Sequence, residues 1–301
     1  MMVGLMLTMM LGAQAQTKVA PKMAKGMTKV YVTESKIAIP GQPEVNMTLE
    51  TKYAVTGETK DGYKMEVLTT DFQSDAKESN VAALMLSAAQ KMLKGMTLRL
   101  TTDKDGQVKS LDNYDELKVK IDETANNLVE ELYKQVPMLS QLMAKDALKN
   151  QIMTGITKED LLKSMQNTTS PMMLNGKSLM TGAQEDYTNE QGLKMKRMYF
   201  VNGKSITTNG SMSMTKDEMK QFLISQVEKL MPGQADMVKE NIDQLMNSGM
   251  MKIDSKETAT YELQDDGWVK TMKVETTYNA MGQETKSTVN IYIKSLVSTK
   301  N

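Results

Sequence analysis

Hydrophobic and polar positions along the chain alternate in two ways, and the switches between them divide it. From residue 29 onward the period is two. Val30, Val32, Ile37 and Ile39 predict a first strand, ended by Pro40-Gly41. Met47, Leu49, Thr51, Tyr53 and Val55 alternate with polar neighbours, as expected of a sheet with one wet face. The stretch from Gly57 to Gly62 turns the chain, and Tyr63, Met65 and Val67 alternate again. Over 78–94 the spacing becomes helical through Val81, Leu84, Met85, Ala88, Ala89 and Met92, closed by Gly95. Strand spacing resumes at Met96, Leu98 and Leu100, with a turn at Asp103-Lys104-Asp105-Gly106 and a return through Val108 and Leu111.

The middle of the chain reads as helices. Tyr114, Leu117, Ile121, Leu128, Leu132 and Val136 share one face, started by Asp112 or Asn113 and stopped by Pro137. Leu139, Leu142, Met143 and Leu148 predict a second helix, and Thr157-Lys158-Glu159-Asp160 caps a third. Strands return from about residue 178. The series Tyr187, Leu193, Met195, Met198, Phe200 changes parity near Lys196-Arg197, which predicts a bulge. Asn202-Gly203 predicts a tight hairpin. Thr215 to Glu218 is another capping box, leading a helix through Met219, Phe222, Leu223, Val227 and Leu230. Pro232-Gly233 breaks it, and Met237 to Met246 continue the helical spacing as far as Gly249. Met251–Leu263, Trp268–Tyr278 and Val289–Ile293 predict three closing strands.

Strands joined by short turns pair antiparallel. The expected fold is therefore α+β: a mainly antiparallel, curved sheet with several amphipathic helices packed on one face. Both halves run strands, helix, strands, without an aligned repeat. The expected organisation is a signal peptide at 1–15, a flexible segment at 16–28, one domain at 29–295 and a tail at 296–301.

The first fifteen residues differ from the rest. Val3 to Leu11 is almost wholly apolar, and Ala13-Gln14-Ala15 follows as small-x-small. That order predicts a cleavable secretory leader, cut between Ala15 and Gln16. The run is too short to span a bilayer, which takes about 20 apolar residues. No Lys or Arg precedes it, which points to a start further upstream. With no Cys at the cleavage point, the exported protein is expected to be soluble and unlipidated, in the periplasm or at the cell surface.

Composition narrows the chemistry. The chain has 37 basic and 37 acidic residues, interspersed, so it carries no clustered positive charge for nucleic acid. It contains neither Cys nor His. Thiol nucleophiles, Cys/His zinc sites and Ser-His-Asp triads are thereby excluded. The Asp103 to Gly106 turn starts like a calcium loop but has Tyr114 where the twelfth-position Glu belongs. Glu130-Glu131, Glu159-Asp160 and Asp265-Asp266 are adjacent pairs, not two carboxylates facing across a cleft. No catalytic residue, metal or cofactor is expected. Methionine is abundant, with 31 residues of which five (Met1, Met2, Met6, Met9, Met10) lie in the leader. Flexible thioethers fill irregular cores and also line promiscuous apolar surfaces.

Three features together resemble uncharacterised exported proteins of Gram-negative gut bacteria. They are the Ala-Gln-Ala-Gln leader at Ala13 to Gln16, the Asp103 to Leu117 strand, turn and helix start, and the hairpin of Tyr261, Leu263, Gly267 and Trp268. That resemblance brings no known catalytic residues. Long antiparallel strands with helices over one face are also similar in fold to the half-barrels of periplasmic lipoprotein carriers. The functional expectation is a non-catalytic binding protein with a Met-rich apolar groove. Met85, Met92 and Met219 are its candidate lining, for a lipid-like hydrophobic small molecule. The alternative is an envelope interaction module that meets another protein and has no small-molecule ligand.

Overall fold

In the computed structural model, the described residues are 16–76, 92, 94–137, 144–154, 156–189, 191–230, 241–244, 246, 253–280 and 282–294. Two antiparallel meanders share one sheet. The first contains β2 (Thr28–Ala38), β3 (Val45–Glu58), β4 (Gly62–Ser74), β5 (Thr97–Asp103) and β6 (Val108–Leu111). The second contains β8 (Gln184–Thr188), β9 (Lys194–Asn202), β10 (Ser205–Met212), β11 (Ile253–Leu263), β12 (Val269–Ala280) and β13 (Gln283–Ile293). They join where β13 pairs with β2, giving an open 11-stranded sheet ordered 6-5-4-3-2-13-12-11-10-9-8. Every pairing between these strands is antiparallel.

Local chemistry explains most of the strand ends. Gly203 sits in the two-residue turn between Asn202 and Ser205 with φ 61, a value only glycine adopts freely. The turn is thus Gly203-Lys204, one residue later than the Asn-Gly pair suggests. At Gly62 a side chain is impossible, because its Cβ would lie 1.8 Å from the Thr102 carbonyl oxygen. The last strand is longer than its apolar end predicts. Gln283 to Thr288 is polar, yet all of it pairs with β12, and Lys286 to Thr288 also with β2. Tertiary pairing here overrides a weak local preference.

Helices cover less of the described chain than strands do. The described chain is therefore mostly antiparallel sheet, with a smaller share of helix. Helix α1 (Tyr114–Gln135) buries Leu117, Ile121, Ala125, Leu128, Val129 and Leu132, and packs on β5 and on α2 (Lys145–Thr154). Its N-cap residue Asn113 makes no capping bond. The Asn113 side chain instead accepts from Arg99 N (2.9 Å) and donates to Thr97 O (2.9 Å), tying the helix start to β5. Helix α3 (Lys158–Ser164) starts with the expected capping box between Thr157 and Asp160, and lies against β6. Of the helical spacing over 78–94 only Met92 and Lys94 are described, and the stretch 139–143 and most of 237–249 fall outside the described residues.

Helix α4 (Lys216–Leu230) also has its expected box. Thr215 N and Oγ1 donate to Glu218 Oε2 at 2.8 and 3.0 Å, and Glu218 N donates back at 3.3 Å. Lys194 reaches Glu218 from β9 at 2.5 Å. These partners, Lys194 first and Thr215 second, pull the Glu218 carboxyl down to about 2. A carboxyl lowered by folding stabilises above its unfolded range, and that contribution disappears as pH falls through the folded value. Glu218→Gln should therefore lower the urea midpoint at pH 7, and the gap from wild type should close as pH falls from about 4.5 towards 2. Thr215→Ala should cost about 0.5–2 kcal/mol in the same titration at pH 7.

Residues 16–28, expected to be flexible, are held along one end of the sheet. β1 (Thr17–Lys18) pairs with β7 (Ser178–Leu179). Lys22 N donates to Asp266 O (2.7 Å), Trp268 Nε1 donates to Lys22 O (3.0 Å), and Gly26 N donates to Val55 O (2.8 Å). Val19, Pro21 and Met23 are buried. The segment lacks a period because it crosses turns of other elements instead of forming one of its own.

Candidate functional site

Apolar residues on the inner face of the sheet form three separate clusters. The main one holds Tyr31, Tyr53, Val67, Tyr199, Ala259 and Val274 with α1 beneath them. A second gathers Leu193, Met195, Met219 and Ile253 with Tyr187, Met212 and Tyr278. A third gathers Val45 and Met47 with Ile37 and Phe72. Partners in an antiparallel pair share a face, so the register shows what separates them. On β9 Arg197 stands between Tyr199 and Met195. On β11 Glu257 and Ser255 stand between Ala259 and Ile253, and on β12 Thr276 stands between Val274 and Tyr278. On β2 Thr33 and Ser35 stand between Tyr31 and Ile37, and on β4 Thr69 stands between Val67 and Phe72. A mainly polar belt, interrupted on β3 by Leu49, thus crosses the inner face between the main cluster and the other two.

The β8–β11 end of the belt is a buried ionic network. Glu185, Arg197, Gly210 and Glu257 are cross-strand neighbours in one row. Arg197 is 3% exposed. Its Nη2 donates to Thr168 Oγ1 at 3.0 Å, its Nη1 approaches Met173 Sδ at 3.3 Å, and its guanidinium lies 3.6 Å from the Tyr187 ring centroid. Thr168 Oγ1 and Tyr187 Oη each donate to Glu257 Oε1 at 2.8 Å. Tyr261 Oη donates to Thr168 O at 3.1 Å. Glu185 accepts from Lys177 at 2.7 Å and from Tyr199.

Burial would raise the Glu185 carboxyl, but the hydrogen bonds from Lys177 and Tyr199 outweigh it and hold it below the ordinary range. Burial pushes the Lys177 ammonium down despite that carboxylate. The Tyr187, Tyr199 and Tyr261 hydroxyls are all pushed up, first by burial, and so remain protonated donors. Two positive and two negative groups face one another. The network fixes the buried turn around Thr168 and Met173 onto the sheet.

Gly210 makes this possible. Its Cβ would lie 2.4 Å from Tyr187 Oη, so the absent side chain is the space through which tyrosine reaches Glu257. Gly210→Ala should displace Tyr187, break its bond to Glu257 and cost about 1–3 kcal/mol. The same change in a Tyr187→Phe background should cost measurably less in a double-mutant cycle of urea midpoints.

The centre of the belt is different. Thr33, Ser35, Thr276 and Ser287 are half-buried rather than sealed. No side-chain hydrogen bond engages their hydroxyls among the described residues. Ser255 Oγ, on a residue 1% exposed, is buried without a partner.

The sequence-predicted groove residues are not brought together. Met92 is buried (2% exposed) in the main cluster and Met219 (6%) in the second, on opposite sides of the belt. Met85 lies outside the described residues, as do Ala13 and Ala15, whereas Gln16 is exposed just before β1. Sequence reasoning missed Arg197, Glu185 and Glu257. The expected bulge near Lys196-Arg197 does not exist, since β9 keeps register with β8 and β10 throughout. Unbroken alternation of Met195, Arg197 and Tyr199 was the available signal. Among the described residues no group of three acidic side chains is arranged to hold a metal, and no helix is long and apolar enough to cross a membrane.

No family model matches this chain, and no curated protein matches it. Among solved structures it is similar to one of lipovitellin concerned with lipid–protein interactions, with TM-score 0.38 and 8% identity over 91% of this chain and 26% of that one. It thus spans about a quarter of the length of that chain. An outer membrane channel from Pseudomonas putida F1 gives TM-score 0.17 and 6% identity over 93% of this chain and 100% of the channel. Likenesses this distant carry no argument about function.

Proposed function

We propose that the protein is an exported, non-catalytic and unlipidated binding protein that holds a lipid-like molecule against the inner face of its open sheet, beneath amphipathic helices. The observation that carries this reading is the divided inner face. A single sealed core needs no polar belt, and Thr276 and Ser287 lie half-buried between apolar clusters with their hydroxyls unspent. Beside them Ser255 Oγ is buried without a partner, which costs about 1–3 kcal/mol and which a bound polar group would offset. Met47, Met195 and Met212 belong to the clusters beyond the belt, where flexible thioethers can repack around differing chains.

Native mass spectrometry of protein purified from the periplasm tests this. The expected result is a mass beginning at Gln16 with a co-purifying hydrophobic small molecule, released in denaturant. Retention of residues 1–15 in periplasmic material would remove the export reading. A ligand-free protein that binds no added amphiphile, and instead carries a specific protein adduct, would replace the binding reading with an envelope interaction module.

A further inference from the structure

Within the ligand-binding reading, on which it rests, the belt specifies the ligand's polar end. We propose that Thr33, Ser35, Thr276 and Ser287 form the headgroup subsite for an uncharged, hydroxyl-bearing amphiphile. Their positions follow from register. Thr276 pairs with Ser287, and Ser287 is diagonal to Ser35 through the Ser287–Ile37 and Val289–Ser35 pairs. Thr33 lies two residues from Ser35 on the same face. The four hydroxyls therefore form a staggered row over three adjacent strands, β12, β13 and β2, with Val289 and Ile291 of the main cluster opposite Ser35 and Thr33.

Three observations choose the chemistry. The hydroxyls make no hydrogen bond to other described groups, so each can donate and accept. Ser255 Oγ, buried and unpartnered on β11, adjoins them, because Ser255 pairs with Tyr278 just beyond Thr276. Among the described residues the register places no cation beside the patch on the inner face. Arg197 and Lys177, the nearest candidates in the belt, are engaged by Thr168 and Glu185, and the belt's next residue from Thr276 is the carboxylate of Glu257. An anionic headgroup would thus sit beside a carboxylate with no uncommitted cation among the described residues to pair with, at a cost in affinity. A cationic one would have to compete with Arg197 and Lys177, which already balance Glu257 and Glu185 in this network. A glyceride-type headgroup matches the patch in donors, acceptors and charge. The tail then runs away from the main cluster, between Ile37 and Met47 on one side and Tyr278 on the other.

The probes are monooleoylglycerol, oleate and oleoyl-lysophosphatidylglycerol, titrated into the delipidated full-length mature protein at pH 8 below their aggregation concentrations. Monooleoylglycerol is expected to bind at least about tenfold more tightly than the two anions. Thr276→Val with Ser287→Ala should reduce that affinity about tenfold and leave oleate binding unchanged, whereas Thr276→Ser should restore wild-type behaviour. Thermal midpoints of each variant separate lost binding from lost folding. Preference for either anion, or equal monooleoylglycerol affinity in the folded double variant, overturns the headgroup assignment while leaving the apolar site standing. Failure of all three probes to bind overturns the binding reading itself.

Discussion

Arg197→Ala is expected to destabilise the protein by about 3–5 kcal/mol, the cost of leaving buried charge without its partner. The guanidinium is 3% exposed and is engaged by Thr168, Met173 and the Tyr187 ring. Without it Glu257 keeps the bonds from Thr168 and Tyr187 but loses the nearby positive charge, and Glu185 retains only Lys177 and Tyr199. The turn around Thr168 should then loosen from the sheet. Urea unfolding checks the size of the effect, and a double variant checks its cause. Glu257→Gln in the Arg197→Ala background should recover part of the loss, because it removes the stranded charge while keeping an acceptor for Thr168 and Tyr187. A purely additive pair would mean that Arg197 acts by packing alone.

The second large effect is expected at the opposite end. Trp268→Ala should cost about 3–5 kcal/mol, as large aromatic truncations in a core do. It should also detach the N-terminal segment. Trp268 is 2% exposed, and its indole holds Lys22 O. The neighbouring turn is equally committed, since a Cβ on Gly267 would lie 2.9 Å from Ala20 O. Cleavage by trypsin after Lys18, Lys22 or Lys25 under native conditions should therefore accelerate well beyond the change in global unfolding. If native-state cleavage rises only as global stability falls, the segment is not held by this tryptophan.

The sheet was largely readable from the sequence, and the reason is chemical. Alternation over Met47 to Val55 reports burial on one face directly. The Thr157 and Thr215 boxes are local bonds among residues three apart, so they need no tertiary context. What escaped was any inward-facing charge. Glu257 occupies the inner parity of β11, and Arg197 that of β9, but a sequence reader assigns charge to solvent. Their burial depends on Gly210, Tyr187 and Thr168, which the sheet register and a distant turn bring to them. The belt centre escaped for another reason. Thr and Ser suit either face of a strand, so their positions in β2, β12 and β13 became informative only once register was known.

The joint between the two meanders has a kinetic consequence. Each meander forms from contacts a few tens of residues apart, but the β2–β13 seam joins the chain's beginning to its end. Tyr292 Oη bonds Glu34 across that seam over a separation of 258 residues. Folding rates fall as contact order rises, because loop-closure entropy is lost before such contacts repay it. A chain emerging N-terminus first, from a ribosome or through a membrane pore, must hold β2 with one free edge until β13 has emerged. Vectorial synthesis alone therefore cannot complete this sheet. The final event should be the docking of two preformed halves, seen as a slow phase that shortens when the termini are linked and new ends are opened between β6 and β8.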